Sequence, residues 1–135
     1  MSPTVGPYSP VRWAGEWVVT AGQVGVVPDD QGVPRLVPGG FEAEARQAFA
    51  NLRSVLIEES VTLQEVMKAT VYLVDMGDFE MLNTVWNDQF IEGNLRPART
   101  TVAVAALPLG ARVEVEAWAW KRTPREPERN TSLYI

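Results

Sequence analysis

Two charged residues in the C-terminal half of the sequence, Arg99 and Glu114, are the side chains best placed to do chemistry. A planar guanidinium can hold a carboxylate through two parallel hydrogen bonds, and a carboxylate in a pocket can accept and return protons. Pro97 fixes its own backbone and biases Arg96 toward an extended conformation, so Arg99 is predicted to lie at the mouth of a β-strand. The functional interpretation therefore depends on the strands that carry Arg99 and Glu114.

The strand that carries Glu114 is predicted from an alternating pattern of side chains. A period of two gives it one aliphatic face, which suits a helix-covered core. That face consists of Val113, Val115, Ala117 and Ala119, and the opposite face of Arg112, Glu114, Glu116, Trp118 and Trp120. Two carboxylates beside two large aromatics are typical neither of a core nor of the solvent-exposed surface of a monomer. We therefore expect a subunit interface that lines a pocket.

The composition restricts the classes of function. The 135 residues, 46% of them hydrophobic, fit one compact domain. The net charge of -5 disfavours nucleic acid and anionic membranes as partners. The sequence has no cysteine and no histidine, which excludes disulfides, thiolate nucleophiles, Ser-His triads and the common zinc sites. We expect a cytoplasmic protein with no metal, no cofactor and no membrane-spanning segment.

Hydrophobic patterns in the remaining chain predict the order strand, strand, helix, strand, helix, strand, strand. The predicted spans are about 11–26 for a hairpin, 41–59 and 79–91 for the helices, and 68–74 for the strand between them. A long surface loop is expected between the hairpin and the first helix. This order indicates an α+β fold with a mixed or antiparallel sheet and both helices on one face. The uncovered face would need another subunit.

The second helix and the C-terminus carry more specific predictions. Asp78 is expected to cap the second helix and Gly93-Asn94 to end it. The predicted inward stripe of that helix is Phe79, Leu82, Val85, Trp86, Phe90 and Ile91. The capping-box spacing from Thr62 to Glu65 predicts a short turn before the third strand. The domain is expected to span residues 1–120, and residues 121–135 to form a polar, proline-punctuated tail.

Five stretches of the sequence, in this order and at this spacing, point to a known family. They are Gly6-Pro7-Tyr8-Ser9, Thr20-Ala21-Gly22-Gln23, Asp78-Phe79 with Asn83, Arg96-Pro97-Ala98-Arg99-Thr100, and Val113-Glu114-Val115-Glu116-Ala117. Together they make residues 5–120 resemble the RidA/YjgF family of reactive-intermediate (imine/enamine) deaminases. The resemblance implies a fold like that of the small trimeric chorismate mutases, a homotrimer, and a site in each cleft between neighbouring subunits.

The resemblance also implies roles for individual residues. By position, Arg99 would bind a substrate carboxylate and Glu114 would orient the attacking water. The other substrate-binding positions that it implies are Tyr8, Gly22, Asn83 and Thr101. Thr101 stands where many relatives have a cysteine, and Ala21 stands where a serine is frequent. The pocket of this chain is therefore expected to differ slightly from theirs in polarity and size.

The activity that the resemblance implies is hydrolysis of 2-imino or enamine acids, such as 2-aminoacrylate and 2-iminopropionate, to 2-keto acids and ammonia. These substrates hydrolyse spontaneously, so positioning and modest acid-base help suffice without a metal or cofactor. A non-catalytic binding or regulatory trimer is an alternative, against which the presence of Arg99 weighs. An endoribonuclease is another, against which the acidic charge and missing histidine weigh.

Purely structural interpretations of the same side chains stay open at this point. Arg99 could form a salt bridge at a strand end, and Tyr8 could serve in packing alone. Glu114 and Glu116 could lie on a solvated strand face, although such a face seldom adds two tryptophans to the same row.

Overall fold

The architecture was determined from a computed structural model, which describes Thr4 and residues 6–91 and 96–121. Its elements are β1 Val11–Ala14, β2 Trp17–Thr20, β3 Gln23–Val24, β4 Val26–Pro28, β5 Pro34–Leu36, α1 Phe41–Ile57, β6 Val66–Leu73, α2 Phe79–Gln89, β7 Ala98–Ala103 and β8 Val113–Trp120. The main sheet has the order β1-β2-β8-β6-β7, with β3 also on β8, while β4 and β5 form a separate hairpin. Strands β6 and β7 run parallel and the other described pairs antiparallel. The predicted single α+β domain with two helices and a mixed sheet is confirmed.

Both helices pack on one face of the main sheet, where they cover the core. Their buried side chains meet alternate strand residues in one apolar cluster. Phe49 of α1 contacts Trp86 and Phe90 edge to face, with ring centroids 6.0 and 6.3 Å apart. The aliphatic face predicted for β8 is confirmed by the burial of Val113, Val115, Ala117 and Ala119. A period of two is therefore enough to assign the core face of this strand.

The opposite side of the main sheet, here called the open face, is polar and aromatic. Strand register places on it Lys68, Thr70 and Tyr72 of β6, Thr100 of β7, and Glu114, Glu116 and Trp118 of β8. Trp118 is 50% exposed and meets Trp17, itself 41% exposed, edge to face with ring centroids 6.5 Å apart. The predicted row of carboxylates and tryptophans thus lies together on one face without a helix from the described residues over it.

The N-terminal strands depart from the single predicted hairpin. Strand β2 ends at Thr20. The chain then continues in two short strands, β3 and β4, which Gly25 separates. Gly25 lies so close to α1 that an added Cβ would stand 2.4 Å from a helix carbonyl oxygen. Asn51 of α1 donates from Nδ2 to the carbonyls of Val24 and Val26, both at 2.9 Å. This side chain satisfies the backbone where the strand ladder is interrupted.

The long surface loop predicted before α1 contains a small hairpin, β4–β5. The carboxylate of Asp29 accepts hydrogen bonds from the backbone N–H groups of Gln31 and Val33, at 2.8 and 2.9 Å, and from Arg35 Nε at 3.0 Å. These bonds lower the pKa of Asp29, with those from Val33 and Arg35 the largest causes. One side chain therefore closes the turn, an effect that hydrophobic periodicity does not register.

The second helix is shorter than predicted and presents different side chains at its ends. Asp78 occupies the position before α2, but its carboxylate accepts hydrogen bonds from Arg112 at 2.9 and 3.0 Å and makes no side-chain cap. Phe79 and Ile91, predicted to face inward, are 37% and 71% exposed. The chain enters α2 through a short 3-10 turn, Met76–Asp78, in which Asp75 Oδ1 accepts from the backbone N–H of Gly77 at 2.8 Å. Asp78 therefore lacks the extended backbone of a cap residue, and Asp75 caps the segment instead.

Two predictions about chain ends fall largely outside the described residues. The predicted helix end at Gly93-Asn94 and the predicted tail beyond Lys121 belong to this group. Lys121 itself is described, and its backbone N–H donates to the carbonyl of Glu16 at 2.8 Å.

The predicted capping box is confirmed, since the backbone N–H of Thr62 donates to Glu65 Oε1 at 2.9 Å. Within the described ranges, no helix combines the length and hydrophobicity needed to cross a bilayer.

Candidate active site

Arg99 lies on β7 and projects toward the helix-covered side of the sheet. Its register partner on β6 is Ala69, a core residue, so the two side chains share a face. Arg99 Nη2 donates to Asn83 Oδ1 of α2 at 2.7 Å. The guanidinium carbon stands 4.8 Å from the ring centroid of Trp86 and 5.5 Å from that of Phe79. We call Phe79, Asn83, Trp86 and Arg99 the Arg99 cradle.

The guanidinium in this cradle has no carboxylate partner among the described residues, whose ion pairs all involve other cations. Burial lowers the pKa of Arg99 below its ordinary value, but an arginine stays charged near neutral pH. Asn83 engages one terminal nitrogen, and the planar fork has further N–H donors for an anion. The cradle is therefore suited to receive a small carboxylate from outside.

Helical spacing explains how α2 forms the cradle. Phe79, Asn83 and Trp86 are separated by four and three residues, which places them on one face of the helix. The sequence predicts Asn83 as a site residue, whereas its apolar pattern predicts that the two aromatics belong to the inward stripe of α2. Asn83 is a polar residue on the same helix face as these aromatics, and α2 packs beside the strand that carries Arg99. That combination is the sequence signal that could have identified Phe79 and Trp86 as site residues.

Glu114 lies on the open face in a second concave site, of about 360 Å³. The lining residues are Tyr8, Ala21, Gly22, Val24, Pro108 and Glu114. The break after β2 brings the backbone of Gly22 against the carboxylate, so that an added Cβ would lie 1.9 Å from Glu114 Oε2. Three predicted site residues, Tyr8, Gly22 and Glu114, are thus brought together. We call this site the Glu114 pocket.

The surroundings of Glu114 make it a stronger base than an exposed glutamate. Partial burial is the main cause that raises its pKa, and the neighbouring charge of Glu116 raises it further. Both effects disfavour the ionised carboxylate, so that a proton taken up by Glu114 is held more tightly. A carboxylate of this kind in a pocket is suited to accept a proton from water.

The cradle and the pocket lie apart within one protomer. Arg99 is level with Ala69 of β6 and Glu114 with Tyr72, three residues farther along that strand. Two strand spacings and three residues correspond to roughly 14 Å between the Cα atoms of Arg99 and Glu114. Their side chains also leave the sheet on opposite faces, so no small molecule can contact both within one protomer.

The remaining predicted residue, Thr101, belongs with the cradle side. It pairs in register with Val71, a core residue, and therefore shares a face with Arg99 two residues before it. The predicted site residues form two groups: Asn83, Arg99 and Thr101 in one, and Tyr8, Gly22 and Glu114 in the other. Across the described ranges, no group of three or more acidic side chains is arranged to hold a metal ion.

Comparison with known proteins settles the family. The profile of the family described as Endoribonuclease L-PSP matches residues 1–121. The chain belongs to the RidA/YjgF family. A relative in Mus musculus, a 2-iminobutanoate/2-iminopropanoate deaminase, is 43% identical over 115 residues, which are 85% of this chain and 82% of that protein.

Solved structures of the RidA/YjgF family share the fold. RidA from an Antarctic Psychrobacter superposes with a TM-score of 0.78 at 36% identity, covering 87% of this chain and 91% of that one. Escherichia coli TdcF with bound serine superposes with a TM-score of 0.77 at 30% identity, over 87% and 91% of the two chains. The resemblance inferred from five short stretches is therefore confirmed for the family, whose solved structures share the mixed α+β fold of this chain.

Proposed function

We propose that this RidA/YjgF protein hydrolyses reactive 2-imino or enamine acids to 2-keto acids and ammonia. The observation that carries the proposal is the half-buried Arg99 guanidinium, which has no carboxylate partner among the described residues. A charge removed from water without a counter-ion is costly, so such a site gains from binding an anion. The deaminase name of the mouse relative supplies the chemical class of that anion.

In the proposed reaction, the substrate carboxylate pairs with the Arg99 fork, which orients the C2 imine carbon. Glu114 accepts a proton from a water molecule as the water oxygen bonds to C2 and the C=N electron pair moves to nitrogen. Glu114 then returns the proton to nitrogen. Glu114 next transfers the hydroxyl proton to the amino nitrogen, the C–N bond breaks as the O–H electron pair forms the C=O bond of the keto acid, and ammonia leaves.

The proposal requires a second copy of the chain, because Arg99 and Glu114 lie roughly 14 Å apart on opposite faces. We infer a homotrimer with the subunit arrangement of the small trimeric chorismate mutases. In it, the Arg99 cradle of one protomer meets the Glu114 pocket of its neighbour. Support comes from the open face, where Trp17 and Trp118 present large apolar surface that association would bury. The net charge of -5 disfavours nucleic acid as an alternative partner.

A coupled assay tests the activity. A pyridoxal-phosphate dehydratase generates 2-aminoacrylate, and the decay of the imine is followed with and without the protein. We expect faster decay, with keto acid and ammonia in equal amounts, and a return to the buffer rate with Arg99→Ala or Glu114→Gln. A folded parent protein that bound pyruvate without accelerating decay would instead support a non-catalytic binding trimer.

The description of the family as Endoribonuclease L-PSP favours one second candidate, endoribonuclease activity. Incubation of the parent with labelled single-stranded RNA tests it, with Glu114→Gln as the matched control. We expect no cleavage, because the chain has no histidine and an acidic net charge. Cleavage that Glu114→Gln abolished would replace the deaminase proposal.

A further inference from the structure

One side of the Glu114 pocket has no role in the proposed reaction. Ala21, Val24 and Pro108 line the pocket beside Glu114, and all three have hydrocarbon side chains. We call these three residues the apolar wall. The proposed reaction engages the carboxylate and the C2 imine of the substrate. The third substituent on C2, the side chain, is therefore the part left to face this wall.

Backbone polar groups of the apolar wall already have partners within the protein. The N–H of Ala21 donates to the carbonyl of Pro10 at 2.9 Å, and the carbonyl of Ala21 accepts from Gln23 Nε2 at 3.4 Å. Pro108 has no N–H, and its carbonyl accepts from the N–H of Ala111 at 3.1 Å. The wall therefore offers a ligand carbon atoms rather than unpaired donors.

A small apolar cluster, separate from the main core, supports the wall. Val24 packs there with Val26 and Ala111, each at most 8% exposed, and Leu36 and Leu107 pack against them. Close packing of this kind holds side chains in fixed positions. A ligand group that contacts the wall therefore meets a preformed surface, as in most small-molecule sites.

The pocket has room for a substrate side chain longer than a methyl group. Its volume of about 360 Å³ equals that of roughly twelve water molecules in the liquid. In the proposed trimer, the Arg99 guanidinium of the neighbouring protomer takes part of this space and pairs with the substrate carboxylate. Phe79 of the same cradle, 37% exposed, brings further apolar surface. The remaining space is therefore suited to a hydrocarbon group.

A second negative charge on the substrate would have no counter-ion in this site. Of the described residues that line the Glu114 pocket, none is a lysine or an arginine, and Glu114 is itself acidic. The one cation that the neighbouring cradle brings is already paired with the first carboxylate. A carboxylate in the side chain would lose water without gaining a partner, whereas a hydrocarbon side chain gains from leaving water.

We propose that the apolar wall binds the substrate side chain and that the protein prefers 2-imino acids with an uncharged hydrocarbon side chain longer than methyl. An example is 2-imino-4-methylpentanoate, the imine that corresponds to leucine. The preference in turnover rests on the proposed deaminase function, whereas binding of the matching 2-keto acids does not. Each buried CH2 group favours binding by about fourfold. Three carbon atoms more than in 2-iminopropionate should therefore raise kcat/KM by about tenfold or more.

Binding of 2-keto acids tests the subsite independently of catalysis, because a 2-keto acid has nearly the shape of the 2-imino acid. NMR titration of the intact protein measures Kd for 4-methyl-2-oxopentanoate, pyruvate and oxaloacetate. We expect the first to bind about tenfold or more tightly than pyruvate, and oxaloacetate to bind more weakly than pyruvate. Equal Kd values for 4-methyl-2-oxopentanoate and pyruvate, or binding of neither, would overturn the proposal.

Variants of the apolar wall separate side-chain recognition from general damage. Ala21→Val fills part of the subsite, so kcat/KM for 2-imino-4-methylpentanoate should fall about tenfold or more, while that for 2-iminopropionate changes by less than about threefold. Val24→Thr keeps the shape but adds a hydroxyl, and should lower the same preference severalfold. Val27→Thr is the matched control, because Val27 is 38% exposed on β4 and does not line the pocket. It should leave both values unchanged.

The outcomes distinguish the subsite from the proposed function. A protein that hydrolysed no imine but bound 4-methyl-2-oxopentanoate more tightly than pyruvate would overturn the proposed function and support the subsite. An active protein with equal kcat/KM for the two imines would overturn the subsite and support the proposed function. A proportional fall for both imines in folded Ala21→Val and Val24→Thr would also count against side-chain recognition by the wall.

Discussion

Arg99 differs from a surface arginine because two aromatic rings and one amide oxygen replace part of the water around its guanidinium. Stacking on Phe79 and Trp86 orients the planar group, and the bond to Asn83 fixes its rotation. A lysine ammonium is a strongly hydrated point charge that can reproduce neither the stacking nor the two-pronged contact with a carboxylate. The cradle therefore specifies arginine rather than positive charge.

Replacement of Arg99 by lysine should fail almost as completely as replacement by alanine. Each charge-assisted hydrogen bond to the substrate contributes about 1.5 to 3 kcal/mol, so we expect kcat/KM in the coupled assay to fall by about a hundredfold or more. Arg96→Lys is the matched control, because Arg96 binds the carbonyl of Phe90 through Nε and lies outside the cradle. Hydrolysis of 2-iminopropionate by Arg99→Lys at the parent rate would exclude the anchoring role.

Gly22 leaves space that the Glu114 carboxylate occupies. In Gly22→Ala the new Cβ would stand 1.9 Å from Glu114 Oε2 and 2.6 Å from its carboxyl carbon, so the side chain must rotate away. We expect kcat to fall by about tenfold or more, with little loss in thermal stability, because an exposed rotamer is accessible to a half-buried glutamate. Gly32→Ala offers the converse control: Gly32 has φ +81° and open space around it, so that variant should lose stability and keep kcat. Equal kcat for Gly22→Ala and the parent would contradict this account.

At the scale of elements, periodicity was a sufficient guide wherever one face of an element is buried. Helix α1 was predicted over about 41–59 and spans Phe41–Ile57, and the core face of β8 was assigned residue by residue. Hydrophobic periodicity did not predict the structure where hydrogen bonds from a single polar side chain set the backbone conformation. Asp29 does so in the β4–β5 turn, and Asn51 does so at the break between β3 and β4. Asn83 and Arg99 of the cradle were predicted as site residues, whereas Phe79 and Trp86 were not, because both fit a core stripe equally well. Proximity to Arg99 arises only once α2 is packed beside β7.

Asn51 is expected to contribute more to the free energy of unfolding than one ordinary hydrogen bond, because its amide nitrogen donates to two carbonyls. Asn51→Ala would leave the buried carbonyls of Val24 and Val26 without their donor, and we expect a loss of about 2 to 3 kcal/mol in the free energy of unfolding. Urea denaturation measures the loss. Gln47→Ala, which removes only the donor to Asn51 Oδ1, should cost less. Equal losses in the two variants would show that the strand break does not depend on Asn51.

At the scale of the whole molecule, the last strand of the domain is hydrogen-bonded in place before the polar C-terminal segment begins. The backbone N–H of Lys121 closes the last strand onto Glu16. We expect a chain truncated after Lys121 to keep its melting temperature within about 2 °C of the parent value, because residues 122–135 carry no periodic apolar pattern. Calorimetry of the two chains measures the difference. A large decrease would mean that Leu133, Tyr134 and Ile135 contribute to the folded body.

The placement of Arg99 and Glu114 on opposite faces of one sheet has a genetic consequence. If each site takes its arginine from one chain and its glutamate from the next, a trimer that mixes Arg99→Ala chains with Glu114→Gln chains contains one site with both wild-type residues. Two inactive proteins should then complement each other. Equal co-expression and random assembly should restore about a quarter of the parent kcat, since about three quarters of the trimers are mixed and each has one intact site in three. If the two proteins are mixed after assembly, no activity should return until the subunits exchange. Co-expressed chains that form mixed trimers without activity would instead show that each site takes both residues from the same protomer.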